Sequence, residues 1–191
     1  MKKVTPERDR ELTQVIIHEF HLSEMALNHF LRVVEAIKVH GETYQLQLEA
    51  YKFYSDFVCH LYEHFMAAFE REVGLHDLHW TRTDKMLEMY AQQHFTNTAD
   101  MIEAGIGPEW ANDLGYYQVE IPEGFGKKMR DIRNNHNHGS YRRGGDRGRI
   151  SLNEFREGYH KYVFGLFQLA SWWSTQRLSD YRIPYVERFK V

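Results

Sequence analysis

Apolar residues recur at steps of three and four along most of the chain, the spacing of one face of a helix, and no series of segments alternates with the period of two that strands require. Leu12, Val15, Ile16, Phe20, Phe30, Val33, Val34 and Ile37 carry a first run that opens on Thr5-Pro6-Glu7 and stops at Gly41. Thr is a good N-cap, Pro suits the first turn, and an acid there faces the positive end of the helix. A second run, from about Glu42 to Val73, places Leu48, Tyr51, Phe57, Val58, Leu61, Phe65, Met66 and Phe69 on helical spacing and ends before Gly74. Two long helices joined across one glycine predict an antiparallel hairpin.

A third run, from about Thr83 to Glu103, carries Met86, Leu87, Met89, Tyr90, Phe95, Met101 and Ile102 and closes at Gly105 and Gly107. Residues 108–122 read as an irregular connection whose Trp110, Tyr116 and Tyr117 plug the bundle end. The next helix starts near Glu123 and stops at Gly139. Ser151-Leu152-Asn153-Glu154 then has capping-box form, with Ser and Glu each satisfying free backbone donors of the other's segment. Phe155, Tyr159, Tyr162, Val163, Leu166, Phe167, Ala170 and Trp173 follow as a broad apolar band. The tail from Tyr181, broken at Pro184, is expected to pack irregularly or reach a partner. The pattern predicts an all-α, up-and-down helical bundle of about five helices, in one domain spanning 1–191.

Composition narrows the function classes. A formal charge of −3 gives no global attraction to nucleic acid or membrane, so a nucleic-acid site has to come from local clustering. The single cysteine, Cys59, excludes an internal disulfide framework. With no N-terminal signal-like segment and no run of about 18 apolar residues, the expectation is a cytoplasmic protein that does not span a membrane.

The polar stretch Arg130-Asp131-Ile132-Arg133-Asn134-Asn135-His136-Asn137-His138-Gly139 breaks the apolar rhythm and concentrates chemistry. Residues five apart on a straight helix lie about 140° around it and about 7.5 Å along it. Gly139, ending the helix at His138, lets that ring leave the regular spiral toward the long Arg133 side chain. Histidine is the side chain suited to proton transfer near neutral pH, and arginine offers a permanently charged phosphate fork. RNA brings its own nucleophile, the 2'-hydroxyl, so this pair requires no metal and no cofactor.

Arg133-Asn134-x-x-x-His138 resembles the R-N-x-x-x-H signature of the HEPN superfamily, small α-helical domains many of which are metal-independent endoribonucleases. Another Arg and His share this spacing, Arg71 and His76, but Glu72 follows that arginine and Gly74 interrupts the segment. The resemblance implies Arg133 and His138 as catalytic residues, assisted by Asn134, which lies four residues before His138 on the same helical face. It also implies a homodimer that brings two motifs into one cleft, supplying the second acid or base. Roles in toxin–antitoxin systems with an inhibitory partner protein, in phage defence or in RNA processing follow from the same likeness. Arg130 to His136 is a looser spacing that the superfamily also tolerates.

The residues after the motif extend the site. Ser140 to Arg149 contains Arg142, Arg143, Arg147 and Arg149 among glycines, a composition suited to tracking a phosphate backbone, and Tyr141 is placed to stack on an unpaired base. With Arg130 and His136 these are the expected RNA-binding residues. Two alternatives compete. One is a non-catalytic HEPN-like module for RNA or protein binding and dimerisation. The other is a metal-dependent helical-bundle hydrolase: His60-Leu61-Tyr62-Glu63-His64 has the form H-x-x-E-H, and His18, Glu19, His21 and His94 sit on helices that a bundle brings together.

Overall fold

The computed structural model describes residues 4–74, 78–109, 111, 113–137, 150–178, 183, 186 and 188–189, with backbone alone at 136, 137, 173 and 175–178. Six helices form, and no strand occurs among the described residues: α1 Pro6–His40, α2 Tyr44–Val73, α3 Trp80–Glu103, α4 Leu114–Tyr117, α5 Phe125–Asn137 and α6 Leu152–Leu178. The protein is an all-α helical bundle.

Local chemistry sets the boundaries. Thr5 Oγ1 accepts from Arg8 N at 3.3 Å and Thr43 Oγ1 from Leu46 N at 3.3 Å, so the second helix starts two residues after the expected Glu42. Gly74 closes α2 in the left-handed region, with φ 69° and ψ 25°, where a side chain is strained. His79 caps α3 through Thr81 N, starting it three residues before Thr83. The connection after α3 holds one feature that the apolar pattern does not carry, the single-turn α4, which Asp113 Oδ1 caps at Tyr116 N over 3.2 Å. Ser151 and Glu154 form the expected capping box: Ser151 N donates to Glu154 Oε2 at 2.8 Å and Glu154 N to Ser151 Oγ at 3.3 Å.

α1 and α2 pack along one another as the expected hairpin, tied near the open end by Arg71 on Asp9. One buried cluster draws on α1, α2, α3, α5 and α6, with Phe20 stacked on Phe167 and Phe57 meeting the same ring edge-on. Tyr117 is buried against Phe95, and Tyr116 stacks on Phe95 while Lys161 lies 4.3 Å above it, so these two tyrosines do plug one end. Trp110 lies outside the described residues.

α5 matters most for the site. Phe125, Met129 and Ile132, at steps of four and three, are buried and seat it against α2 and α3. Gly126 permits the closest approach: a Cβ there would stand 2.1 Å from the Asp84 carbonyl oxygen. The Gly126 amide also donates to Glu88 Oε1 at 3.2 Å. The helix is therefore held to α3 by a contact that only glycine allows.

Candidate functional site

Two arginines one turn apart leave α5 toward different helices. Arg130 turns to α3, where Asp84 receives Nε at 3.1 Å and Nη2 at 3.0 Å, and its guanidinium lies 4.3 Å over the Trp80 ring. Both side chains of this pair are largely buried, at 15% and 10% exposure. An arginine held by two carboxylate oxygens and an aromatic face is fixed in place. Its role in the fold is to anchor the motif helix.

Arg133 turns to α2, where Glu63 Oε1 accepts from Nε and pairs with Nη2; Nη1 donates to Asn134 Oδ1 at 3.0 Å. Its side chain is 34% exposed and that of Glu63 32%. A guanidinium has five N–H donors in a planar fork, so among the described residues its terminal nitrogens keep donors for a further acceptor. The bond to Asn134 couples the two residues that distinguish this Arg-x4-His match from the one at Arg71. That second match does something different: Arg71 Nε and Nη2 bind Asp9 at 2.7 and 3.2 Å and hold its carboxyl below the usual range, while His76 lies outside the described residues.

The backbone of α5 runs through Asn137, so His136 is on the helix, and His138, Tyr141, Arg142, Arg143, Arg147 and Arg149 lie outside the described residues. Of the expected catalytic set, Arg133 and Asn134 are in contact with each other. Beside them is Cys59, whose Sγ is 3.9 Å from the Arg133 carbonyl oxygen. Burial pushes this thiol up to about 12, so it stays protonated and inert at neutral pH.

The H-x-x-E-H residues part company. His60 Nδ1 is 2.8 Å from Glu19 Oε2, Glu63 serves Arg133, and His64 Nδ1 donates to the Ile16 carbonyl at 2.8 Å. His18 lies 3.9 Å from Glu19 and His21 4.0 Å from Glu24, while His94 faces Gln168 from α3. Among the described residues no three His, Cys, Asp or Glu side chains converge as a metal ion needs. No helix among them is long and apolar enough to cross a membrane.

Glu63, Asp84 and Trp80 are the partners that sequence reasoning missed. Glu63 had a visible signal, an acid between Tyr62 and His64 in the apolar stretch of α2. Asp84 and Trp80 had none, because only the packing of α3 on α5 brings them to Arg130. Comparison of the chain with protein-family models, with curated proteins and with solved structures finds no match.

Proposed function

We propose that the protein is a metal-independent endoribonuclease of the HEPN type, in which Arg133 grips the scissile phosphate and His138 transfers protons. The observation that carries this reading is the Arg133 guanidinium itself: a third exposed near the end of α5, oriented by Asn134 Oδ1, and immediately upstream of the motif histidine and the arginine-rich stretch. A permanently charged fork stabilises the charge that gathers on the phosphate oxygens.

In the reaction the 2'-oxygen attacks the adjacent phosphorus as the P–O5' bond breaks. One base removes the 2'-hydroxyl proton and one acid protonates the departing 5'-oxygen, leaving a 2',3'-cyclic phosphate and a 5'-hydroxyl. His138 serves as one of the two, and its counterpart in a second copy of the chain as the other, which makes the active species a homodimer. Tyr141, Arg142, Arg143, Arg147 and Arg149 hold the flanking RNA, and His136 stands as a further contact. The setting is cytoplasmic, in a toxin, defence or processing role under an inhibitory partner protein.

The Glu63 contact favours a second reading. A carboxylate on the guanidinium competes with phosphate, as suits a non-catalytic HEPN-like module whose Arg133 is a structural tie. Incubation of purified protein with end-labelled single-stranded RNA in excess EDTA separates the two. Cleavage by wild type and its loss in His138→Ala is the expected result. RNA binding without cleavage at any enzyme concentration supports the binding module instead.

A further inference from the structure

Trp80, the first residue of α3, keeps 49% of its surface in solvent. The indole is nevertheless held in place. The Arg130 guanidinium lies 4.3 Å from its ring centre and is itself fixed by Asp84, at 3.1 Å from Nε and 3.0 Å from Nη2. The His79 ring stands 4.9 Å away at a tilt of 32°, and its Nδ1 is 2.7 Å from Thr81 Oγ1. A large aromatic ring that is already ordered binds a flat partner without the entropy cost of ordering it.

The packing of α5 puts this ring near Arg133. α5 runs antiparallel to α3 here, since Gly126 meets Asp84 and Glu88 while Arg130, one turn later, meets Asp84 and Trp80. Arg133 is three residues further, about 4.5 Å along the axis, so the end of α5 that carries Arg133 and Asn134 is the end beside Trp80. Arg82 and Lys85 follow in the first two turns of α3 as exposed cations that form no ion pair with a described residue. The acids between the two helices are engaged, Asp84 with Arg130 and Glu88 with the Gly126 amide. Positive charge and an open aromatic surface thus occur together, the combination that holds a single nucleic-acid strand.

We propose that Trp80 is a stacking platform for an unpaired base close to the phosphate on Arg133, which makes the substrate single-stranded RNA. The inference rests on the ribonuclease reading of Arg133 and names the substrate class of that site. A base in a duplex is stacked on its neighbours and does not reach an indole, whereas an unpaired base offers its flat face whatever its identity. Arg82 and Lys85 attract the backbone, and Trp80 selects for a strand with free bases.

The test uses the full chain and two labelled single strands that cannot be cleaved, a 2'-O-methylated RNA and an abasic strand of the same length, in fluorescence anisotropy. Wild type is expected to bind the base-bearing strand about tenfold tighter than the abasic one. Trp80→Ala is expected to lose most of that preference while binding the abasic strand as wild type does. In a parallel titration with unlabelled strands, the base-bearing strand is expected to quench the tryptophan emission of wild type, and to quench it much less in Trp80→Phe, which keeps a ring against Arg130. Equal binding of both strands by wild type overturns the platform and leaves the reading of Arg133 standing. A Trp80→Ala loss that is the same for both strands, or undiminished quenching in Trp80→Phe, also overturns it. Binding of neither strand by wild type overturns the ribonuclease reading and the platform with it.

Discussion

Glu63 and His64 are neighbours in α2, yet they belong to two regions with opposite physics. Glu63 sits at the α5 side, a third exposed and facing a guanidinium across a contact that water still reaches. His64 sits at the α1 side, enclosed, neutral and bonded to a backbone carbonyl. Successive helical residues lie about 100° apart, so one step along the chain moves a side chain from a charged surface to the buried interior. The fold thus keeps a partly exposed ion pair on one side. On the other side it keeps a neutral ring fixed to the backbone of α1.

The largest effect is expected where the two regions share a foundation, the α3–α5 anchor. Asp84→Ala leaves the largely buried Arg130 without its carboxylate and is expected to cost about 3 kcal/mol or more, read as a lower urea midpoint with unchanged slope. A loss below about 1 kcal/mol would show that Arg130 finds water instead and that the anchor is not what holds α5.

Acid comes next and acts on the enclosed side. Burial lowers His64 to about 4, and also lowers His94 and His160, beneath the ordinary imidazole value of about 6.5. The unfolded chain therefore takes up protons that the folded one refuses. Stability is full above about pH 6.5 and falls as pH drops from there toward 4, with His64 alone contributing on the order of 3 kcal/mol by the end of that window. Denaturant midpoints between pH 7 and 5 are expected to decline, and to decline less in His64→Gln. A flat profile contradicts the neutral, enclosed histidine.

Gly126→Ala is expected to cost about 1–3 kcal/mol, because the new Cβ has to push α5 away from the Asp84 carbonyl. The smallest stability effect belongs to the exposed side. Removing the Glu63–Arg133 pair with Glu63→Gln is expected to change stability by less than about 1 kcal/mol, since solvent screens it. The same change is expected to strengthen RNA binding severalfold by releasing the guanidinium, measured by fluorescence anisotropy with a short labelled RNA. Unchanged or weaker binding would assign Arg133 to the fold alone.

Much of the bundle was legible in the chain. Thr5, Gly41, Gly74 and the Ser151/Glu154 box act locally, so these helix ends show in the sequence, whereas the Thr43 cap, which starts α2 after the expected Glu42, does not. Asp113 and His79 cap helices through side chains that the apolar spacing does not register, which is why α4 and the start of α3 do not show in that spacing. At the site, the Arg133–Asn134 contact is between sequence neighbours, but the helical spacing places Asn134 on the face of His138 and does not show it. The partners Glu63, Asp84 and Trp80 come from helices that are 70, 46 and 50 residues distant, a separation that no local pattern encodes. Arg130 illustrates the cost of reading charge alone: in sequence it resembles a phosphate ligand, and in the fold Asp84 and Trp80 already hold it.

The most direct measurement is the identity of the RNA ends produced by the purified protein in excess EDTA, from an unmodified strand and from one with every 2'-hydroxyl methylated. Attack by the internal hydroxyl predicts 2',3'-cyclic phosphate and 5'-hydroxyl ends from the first and an intact second strand, with both Arg133→Ala and His138→Ala inactive. Cleavage of the methylated strand, or 5'-phosphate ends from the unmodified one, would contradict that attack and with it the proposed roles of Arg133 and His138.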